Sequence, residues 1–438
     1  MPPPMRAQAF LLVFSLASLV AGCASPANPP TTPTLTTPEV GAGAFTTPVV
    51  VTKGTAEPGL LLDNESNVWV HAPGGLWKSA DNGATFTAID FGPGPVFGGD
   101  AELTIARNGS LYYSDLEQLA ALSVFSSHDK GKTWSYQPIA SDAPLTDRQW
   151  MANGKDVGPL AGAPDAVYLA YNQLASGVWV TKSTDGGLKW TPHLAFATSG
   201  ATEVDFQTMG NIVVDPKGIV YVSFTMGSAG APLTPPLNGY AVVVLVSEDG
   251  GLTWTPRTVA KGAESYSNLF PILAVDDAGT LYATFAAKLE GGTTDVWLTY
   301  SKDHGAKWSK PVKVDSHVGS HAQPWVSTGD VPGELALAWY ENPLPGRPQD
   351  VKGEWHVQAS YTKNGDTDAP TFREMQVSPG TVHKGPICVD GVLCQGGREL
   401  LDFFQIRLDA RNVAHVAYAD NAEGGAKVIY TRSTSPMG

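Results

Sequence analysis

The sequence is short of charge, and of positive charge above all. Charged residues make up 16% of its 438 residues, against about 25% in an average domain. Lys and Arg number 28 against 42 Asp and Glu, a formal net charge of −14. Phosphate backbones are gripped by basic side chains, so nucleic acid is not an expected partner. Helical patterning is scarce, which speaks against a coiled coil or a helical array. No Gly-rich phosphate loop leads into a helix, and no nucleophile-elbow phrase appears. A Ser-His-Asp triad stays open on residue counts alone. Cysteine is almost missing: Cys23, Cys388 and Cys394 are the whole set. Gly (47), Pro (34) and Trp (12) are plentiful, and aromatics reach 9%. Many turns, few charges and many aromatics point to an all-β protein with a sizeable core.

Residues 1–22 read as a targeting signal. Arg6 supplies a basic start, and an apolar stretch from Ala7 to Val20 follows, too short for a confident membrane span. It ends in Leu19-Val20-Ala21-Gly22-Cys23. This phrase resembles the lipobox of bacterial lipoproteins, which implies cleavage before Cys23 and lipidation of Cys23. Ala24 stands where an inner-membrane retention signal often shows Asp, which favours the outer membrane if the cell has two. Residues 23–45 carry Pro-Pro-Thr-Thr-Pro, Thr-Thr-Pro and Gly-Ala-Gly-Ala, a semi-extended tether with nothing to bury. The expected location is extracytoplasmic and lipid-anchored. In that compartment Cys388 and Cys394 read as a local disulfide. Half a zinc site with His383 is the alternative.

The remainder, 46–438, is built from a repeat. Ser-x-Asp-x-Gly-x-x-aromatic occurs at Ser79 to Phe86, Ser127 to Trp134, Ser183 to Trp190, Ser247 to Trp254 and Ser301 to Trp308. The start-to-start steps are 48, 56, 64 and 54 residues. Two worn copies extend the series, with Asn364 and Asp366, then Ser433 and Ser435, in the Ser and Asp places. A β-strand precedes each motif, as in Val242-Val243-Val244-Leu245-Val246. Upstream lies a hairpin with a tight polar turn, as in Leu273-Ala274-Val275-Asp276-Asp277-Ala278-Gly279-Thr280-Leu281-Tyr282. Four antiparallel strands per repeat make a propeller blade. Seven blades are preferred to six, in one domain. Thr47 to Thr52 has no hairpin partner, so it is expected to close the ring as the outer strand of the last blade. Pro48 is tolerable there because that strand is an edge.

The repeated Asp81, Asp129, Asp185, Asp249 and Asp303 read as structural. Their carboxylates cap turn amides, the Gly supplies φ > 0, and the aromatic packs between blades. A lone Asp makes a poor calcium cage, although a structural cation such as calcium stays open. No other cofactor is expected.

These five boxes resemble the Asp-box, or BNR, repeats of sialidases and related propellers. Asp147-Arg148-Gln149-Trp150, Gln323-Pro324-Trp325 and Leu401-Asp402-Phe403-Phe404 also look like phrases of sialidase-like bacterial proteins. The resemblance implies a site on the face opposite the boxes, where innermost strands begin and second-to-third strand loops emerge. That selects Asp100, Asp147, Arg148, Asp205, Gln207, Asn268, His321, Gln323, Arg398 and Asp402, with Asp115, Glu117, Asn172, Glu290, Glu341, Arg347 and Asp420 on the loops. A sialidase site needs three Arg to clamp a carboxylate, a carboxylic acid, and a Tyr activated by Glu. By this resemblance Arg148, Arg347 and Arg398 are the clamp candidates, Asp100 or Asp147 the acid, and Tyr266 with Glu264 the nucleophile and base. The family's Phe-Arg-Ile-Pro phrase is missing. Asp402, His321, Gln323, Asp115 and Trp150 are further binding candidates. Trp150 and Trp325 read either as sugar platforms or as core, and His317 and His321 as solvated loop residues in preference to ligands. Two functions follow: a monomeric module binding a glycan or a cell-envelope protein, which is preferred, or a glycoside hydrolase of exo-α-sialidase type.

Overall fold

The computed structural model describes residues 44–92, 98–117, 120–139, 146–159, 161–173, 176–197, 207–227, 239–261, 270–288, 293–389 and 394–438. The expected signal, Cys23 and most of the tether fall outside these residues, as do Asp205, Glu264, Tyr266, Asn268 and Glu290. Every regular element among the described residues is a β-strand. The strands form seven antiparallel sheets arranged as a seven-bladed propeller. Blades 1 to 6 use consecutive strands, within 59–88, 101–138, 146–197, 207–261, 272–313 and 320–376. Blade 6 carries one extra short strand, His383–Lys384, on its third strand.

Blade 7 takes three strands from the chain end, Gln405–Leu408, Ala414–Asp420 and Lys427–Arg432. Its outer strand is Val49–Lys53 from the other end, with Val49 opposite Tyr430 and Lys53 opposite Lys427. Pro48 precedes the ladder and leaves its hydrogen bonds intact. Thr46 tightens the closure: its amide donates to the Arg432 carbonyl at 2.8 Å, and its carbonyl accepts the Thr431 hydroxyl at 2.8 Å. The expected seven blades and N-terminal closing strand are therefore both present.

Antiparallel order sorts the loops onto two faces. Inner strands start, and second strands end, on one face, the mouth face. The first-to-second hairpins and the third-to-outer turns lie on the other, the box face. All five boxes share one turn. The Ser hydroxyl donates to the Asp carboxylate at 2.7–3.0 Å and accepts the Gly amide at 2.8–2.9 Å. The carboxylate accepts the amide four residues on at 2.8–2.9 Å. In the four Trp boxes the indole N–H donates to the box Gly carbonyl at 3.0–3.2 Å. The Thr85 hydroxyl and amide hold the Asp81 carboxyl down at about 2. Blade 6 uses the same device shifted by two residues: Thr362 takes the Ser place and Asn364 the Asp place. The worn copy expected at Asn364 and Asp366 is corrected accordingly, because the turn follows directly from the end of the third strand, Thr362.

The box glycines also set the spacing between blades. A Cβ on Gly83 (φ +84) would lie 1.9 Å from Tyr430 of blade 7, and one on Gly187 (φ +85) would lie 2.3 Å from Ser126 of blade 2. Each box is thus pressed against the preceding blade, and its aromatic joins the shared core there. Trp134 packs against the cluster of Trp69, Leu111 and Phe125, and Phe86 against that of Val70, Val428 and Tyr430.

Cys388 and Cys394 form a disulfide. His383, the third ligand of the zinc alternative, is engaged elsewhere, by Asn421 at 2.7 Å and the Pro386 carbonyl at 3.2 Å.

Ser247 is fully buried and bridges Gly251 N–H to Asp249. Ser247→Ala leaves a buried amide without its acceptor. The expected cost is about 1–3 kcal/mol, read as a lower urea midpoint with an unchanged slope.

Candidate functional site

Four inner strands carry, shortly before or after their first residue, a non-glycine residue in the left-handed region: Glu57 (φ 59), Arg148 (φ 47), Gln323 (φ 54) and Leu401 (φ 58). Such backbone costs on the order of 1–3 kcal/mol per residue and collects at functional sites. At Arg148 and Gln323 it coincides with a bulge in the inner strand. The chain there turns side chains toward the ring axis instead of along the pleat.

One half of the centre is aromatic. Trp150 of blade 3 lies 5.6 Å from Trp325 of blade 6, 5.0 Å from Phe403 of blade 7 and 5.8 Å from Phe270 of blade 5, centroid to centroid. Blades 3 and 6 are remote around the ring, so these rings meet across the axis and plug it. Trp150 and Trp325 are each 1% exposed. Of the two roles open to them, core and sugar platform, they occupy the first here, and the Trp150 face is taken by Arg148 at 3.8 Å.

The other half is charged. Arg148 extends over Trp150 and Phe403 to Glu102 at 3.4 Å and Asp100 at 3.7 Å. Arg398 pairs with Asp402 at 2.6 Å. Asp147 accepts the Arg148 amide at 2.9 Å, and the Gln149 side chain donates to the Asp100 carbonyl. Burial, then Asp100, raises Glu57 well above the usual carboxylate range. Burial and Asp100 likewise push Asp147 up to about 6. Burial also raises Asp402, against the pull of Arg398. Asp100, Asp147, Arg148, Arg398 and Asp402 therefore share one electrostatic neighbourhood at the channel mouth, and Glu57 joins them.

Deeper along the inner strands lies a second, drier layer. Arg407 donates to the Leu60 carbonyl at 3.0 Å and to Gln405 at 3.3 Å. Burial lowers its pKa to about 10, so it stays cationic. Burial, with Arg148 and Arg407 nearby, drives His71 down to about 3. Its 3.7 Å approach to Glu102 is thus a neutral imidazole beside a carboxyl, not an ion pair. Burial lifts Glu102 to about 7 in spite of both arginines.

The remaining expected residues are elsewhere. Asp115 is fully buried on the second strand of blade 2. Arg347 pairs with Asp350 at 2.9 Å on its own loop, and the described contacts do not bring it to Arg148 or Arg398. Gln323 donates to the Leu401 carbonyl at 2.5 Å, stitching blade 6 to the segment before blade 7. His321 is fully buried, not solvated: its strand start is folded under blade 5, and its Nδ1 sits 2.8 Å from the Thr294 carbonyl. His317 is 36% exposed and pairs with Glu341 at 3.2 Å.

Glu102 has its pKa raised by folding, so the sign of its pH effect follows. Its stabilising contribution is complete below the unfolded value near 4.5 and is lost as pH rises toward about 7. Stability of the wild-type chain is expected to fall across that window. Glu102→Gln should flatten the fall, as measured by urea midpoints at pH 4.5, 5.5, 6.5 and 7.5.

No protein-family model matches the chain. A xyloglucanase from Paenibacillus sp. is 25% identical over 305 residues, 62% of this chain and 28% of that protein. The chain thus spans less than a third of that relative's length. A solved structure of a protein of unknown function from Dyadobacter fermentans has a TM-score of 0.51 at 16% identity, over 90% of this chain and 99% of that one. A sialidase from Trypanosoma rangeli has a TM-score of 0.45 at 12% identity, over 88% of this chain and 58% of that one, too remote to argue from. The Dyadobacter structure shares the fold and leaves the chemistry to the residues at the mouth.

Proposed function

We propose that the chain is a glycan-recognition propeller that takes a hydroxyl-rich, uncharged sugar chain at the channel mouth. One observation carries this reading: both mouth arginines already have carboxyl partners within the protein, Arg148 in Glu102 and Asp100, and Arg398 in Asp402. A sialoside clamp needs guanidinium forks free for the ligand's carboxylate. A mouth with carboxylates in excess suits sugar hydroxyls, which donate to them. The partial likeness to a xyloglucanase supports a glycan ligand. A second reading, acid–base glycoside hydrolysis, is favoured by Asp147, whose pKa of about 6 suits a proton donor beside Asp100.

Calorimetry with xyloglucan oligosaccharides, other neutral glycans and a sialoside tests the proposal. A neutral glycan should bind, at least tenfold more weakly to Asp100→Asn, and a fluorogenic sialoside should not be turned over. Sialoside turnover that Arg148→Ala abolishes would overturn it in favour of a sialidase. Reducing-sugar release from a neutral glycan, lost in Asp147→Asn, would establish the hydrolase.

The proposal includes export, with residues 1–22 removed, Cys23 lipidated and 24–45 as the tether. The Cys388–Cys394 disulfide is in keeping with an oxidising compartment. Radiolabelled palmitate should enter the chain in bacterial cells, and Cys23→Ala should abolish incorporation.

A further inference from the structure

A second polar cluster lies between blades 5 and 6, apart from the residues assigned to glycan recognition. It comprises His317 and His321 before and at the start of the blade 6 inner strand, Glu341 at the end of its second strand, and Glu374 on its outer strand. Asp295 and Asp315 of blade 5 lie behind His321 and are bridged by Lys313 at 2.8 and 3.0 Å. That lysine's single positive charge offsets one of the two carboxylates, and with His321 the pair offers ligand atoms within 4.8 Å of one another; on the other side of His321 stand His317 and the two glutamates.

His321 is the informative residue. It is fully buried, and its Nδ1 lies 2.8 Å from the Thr294 carbonyl, so Nδ1 carries the proton that this contact needs. Among the described residues Nε2 has no hydrogen-bond partner, yet it faces Glu341 Oε2 at 3.5 Å and Asp315 Oδ2 at 3.7 Å. An imidazolium N–H would draw a carboxylate to about 2.7–2.9 Å. These separations are longer. They suit two ligands of one metal ion, since bonds of about 2.0–2.2 Å leave tetrahedral neighbours about 3.3–3.6 Å apart.

Two further contacts have similar lengths. Glu341 Oε2 is 3.3 Å from His317 Nδ1 as well as 3.5 Å from His321 Nε2. Glu374 Oε2 is 3.6 Å from His317 Nδ1 and has no hydrogen bond, while its other oxygen accepts the Ser316 amide at 2.8 Å. His317, Glu341 and Glu374 each offer one ligand atom within 4.8 Å of the others. His321 stands beside this group through Glu341, with one imidazole nitrogen tied to a backbone carbonyl and the other facing the Glu341 carboxylate, as metal-ligating histidines are held. The Trp339 indole N–H reaches Glu341 at 3.4 Å.

We propose that His317 Nδ1, His321 Nε2, Glu341 and Glu374 bind one divalent transition-metal ion of the zinc class. Mixed imidazole and carboxylate ligands favour zinc over calcium, which takes six to eight oxygens. His317 is 36% exposed, so the ion has a route from solvent.

The test uses the purified full chain after chelator treatment, titrated with Zn2+ alone and with Ca2+ alone by calorimetry, and with Co2+ by visible absorption. One Zn2+ per chain is expected, with a tetrahedral-type Co2+ spectrum. His321→Gln and His317→Gln should each weaken uptake about 10–100-fold. His193→Gln, on the outer strand of blade 3, should not. His317→Gln changes a partly exposed loop residue, so it tests the site even if the buried His321 variant fails to fold. Absence of Zn2+ and Co2+ uptake overturns the proposal, as does uptake undiminished in His317→Gln or preference for Ca2+.

Discussion

The guanidinium of Arg148 joins the two unlike halves of the propeller's centre. On one side it lies flat over Trp150 and Phe403, at 3.8 and 4.3 Å. On the other it reaches Glu102 and Asp100. A desolvated cation over an aromatic face is worth about 2 kcal/mol, but its greater effect is on its neighbours. Carboxyl groups from blades 1, 2, 3 and 7 converge here, and without a cation among them the buried ones would have to stay protonated. The strained backbone at residue 148 aims the side chain at this junction.

The ring of blades was open to reading because its devices are local and periodic. Ser, Asp and Gly at fixed spacing make one turn, and that turn recurs at every box. The closing strand was legible by elimination, since Thr47 to Thr52 has no hairpin partner. Asp100, Asp147 and Arg148 were legible because they stand where an inner strand begins, and Arg398 and Asp402 because they lie in the segment that leads into one. Glu57 stands in the same place, but Ala56-Glu57-Pro58-Gly59 lacks the aromatic that marks the phrases at Trp150 and Trp325. A residue followed by Pro at a strand start, as in Gln323-Pro324, was the available signal.

Glu102, Arg407 and His71 were beyond reach for a different reason. They sit inside strands between apolar residues, where alternation predicts that a polar side chain points away from the core. Only closure of the ring around a common axis turns those positions into a shared polar layer. His321 was misread in another way: a histidine two residues after a glycine at the edge of a strand looks like a loop residue, and the packing of blade 5 over it buries it completely.

Pairing the outer strand of blade 7 across the chain ends has a kinetic side. Thr46 and Thr431 meet at a sequence separation of 385 residues, and contacts that distant form late because a long loop must first be closed. Six blades can complete their own sheets in turn as the chain lengthens. The seventh cannot, and until it does, Gly83 lacks the Tyr430 ring it packs against. Val49–Lys53 therefore spends the whole assembly as an unpaired edge, and Lys53 at its end supplies the kind of charge that discourages such an edge from pairing with another molecule.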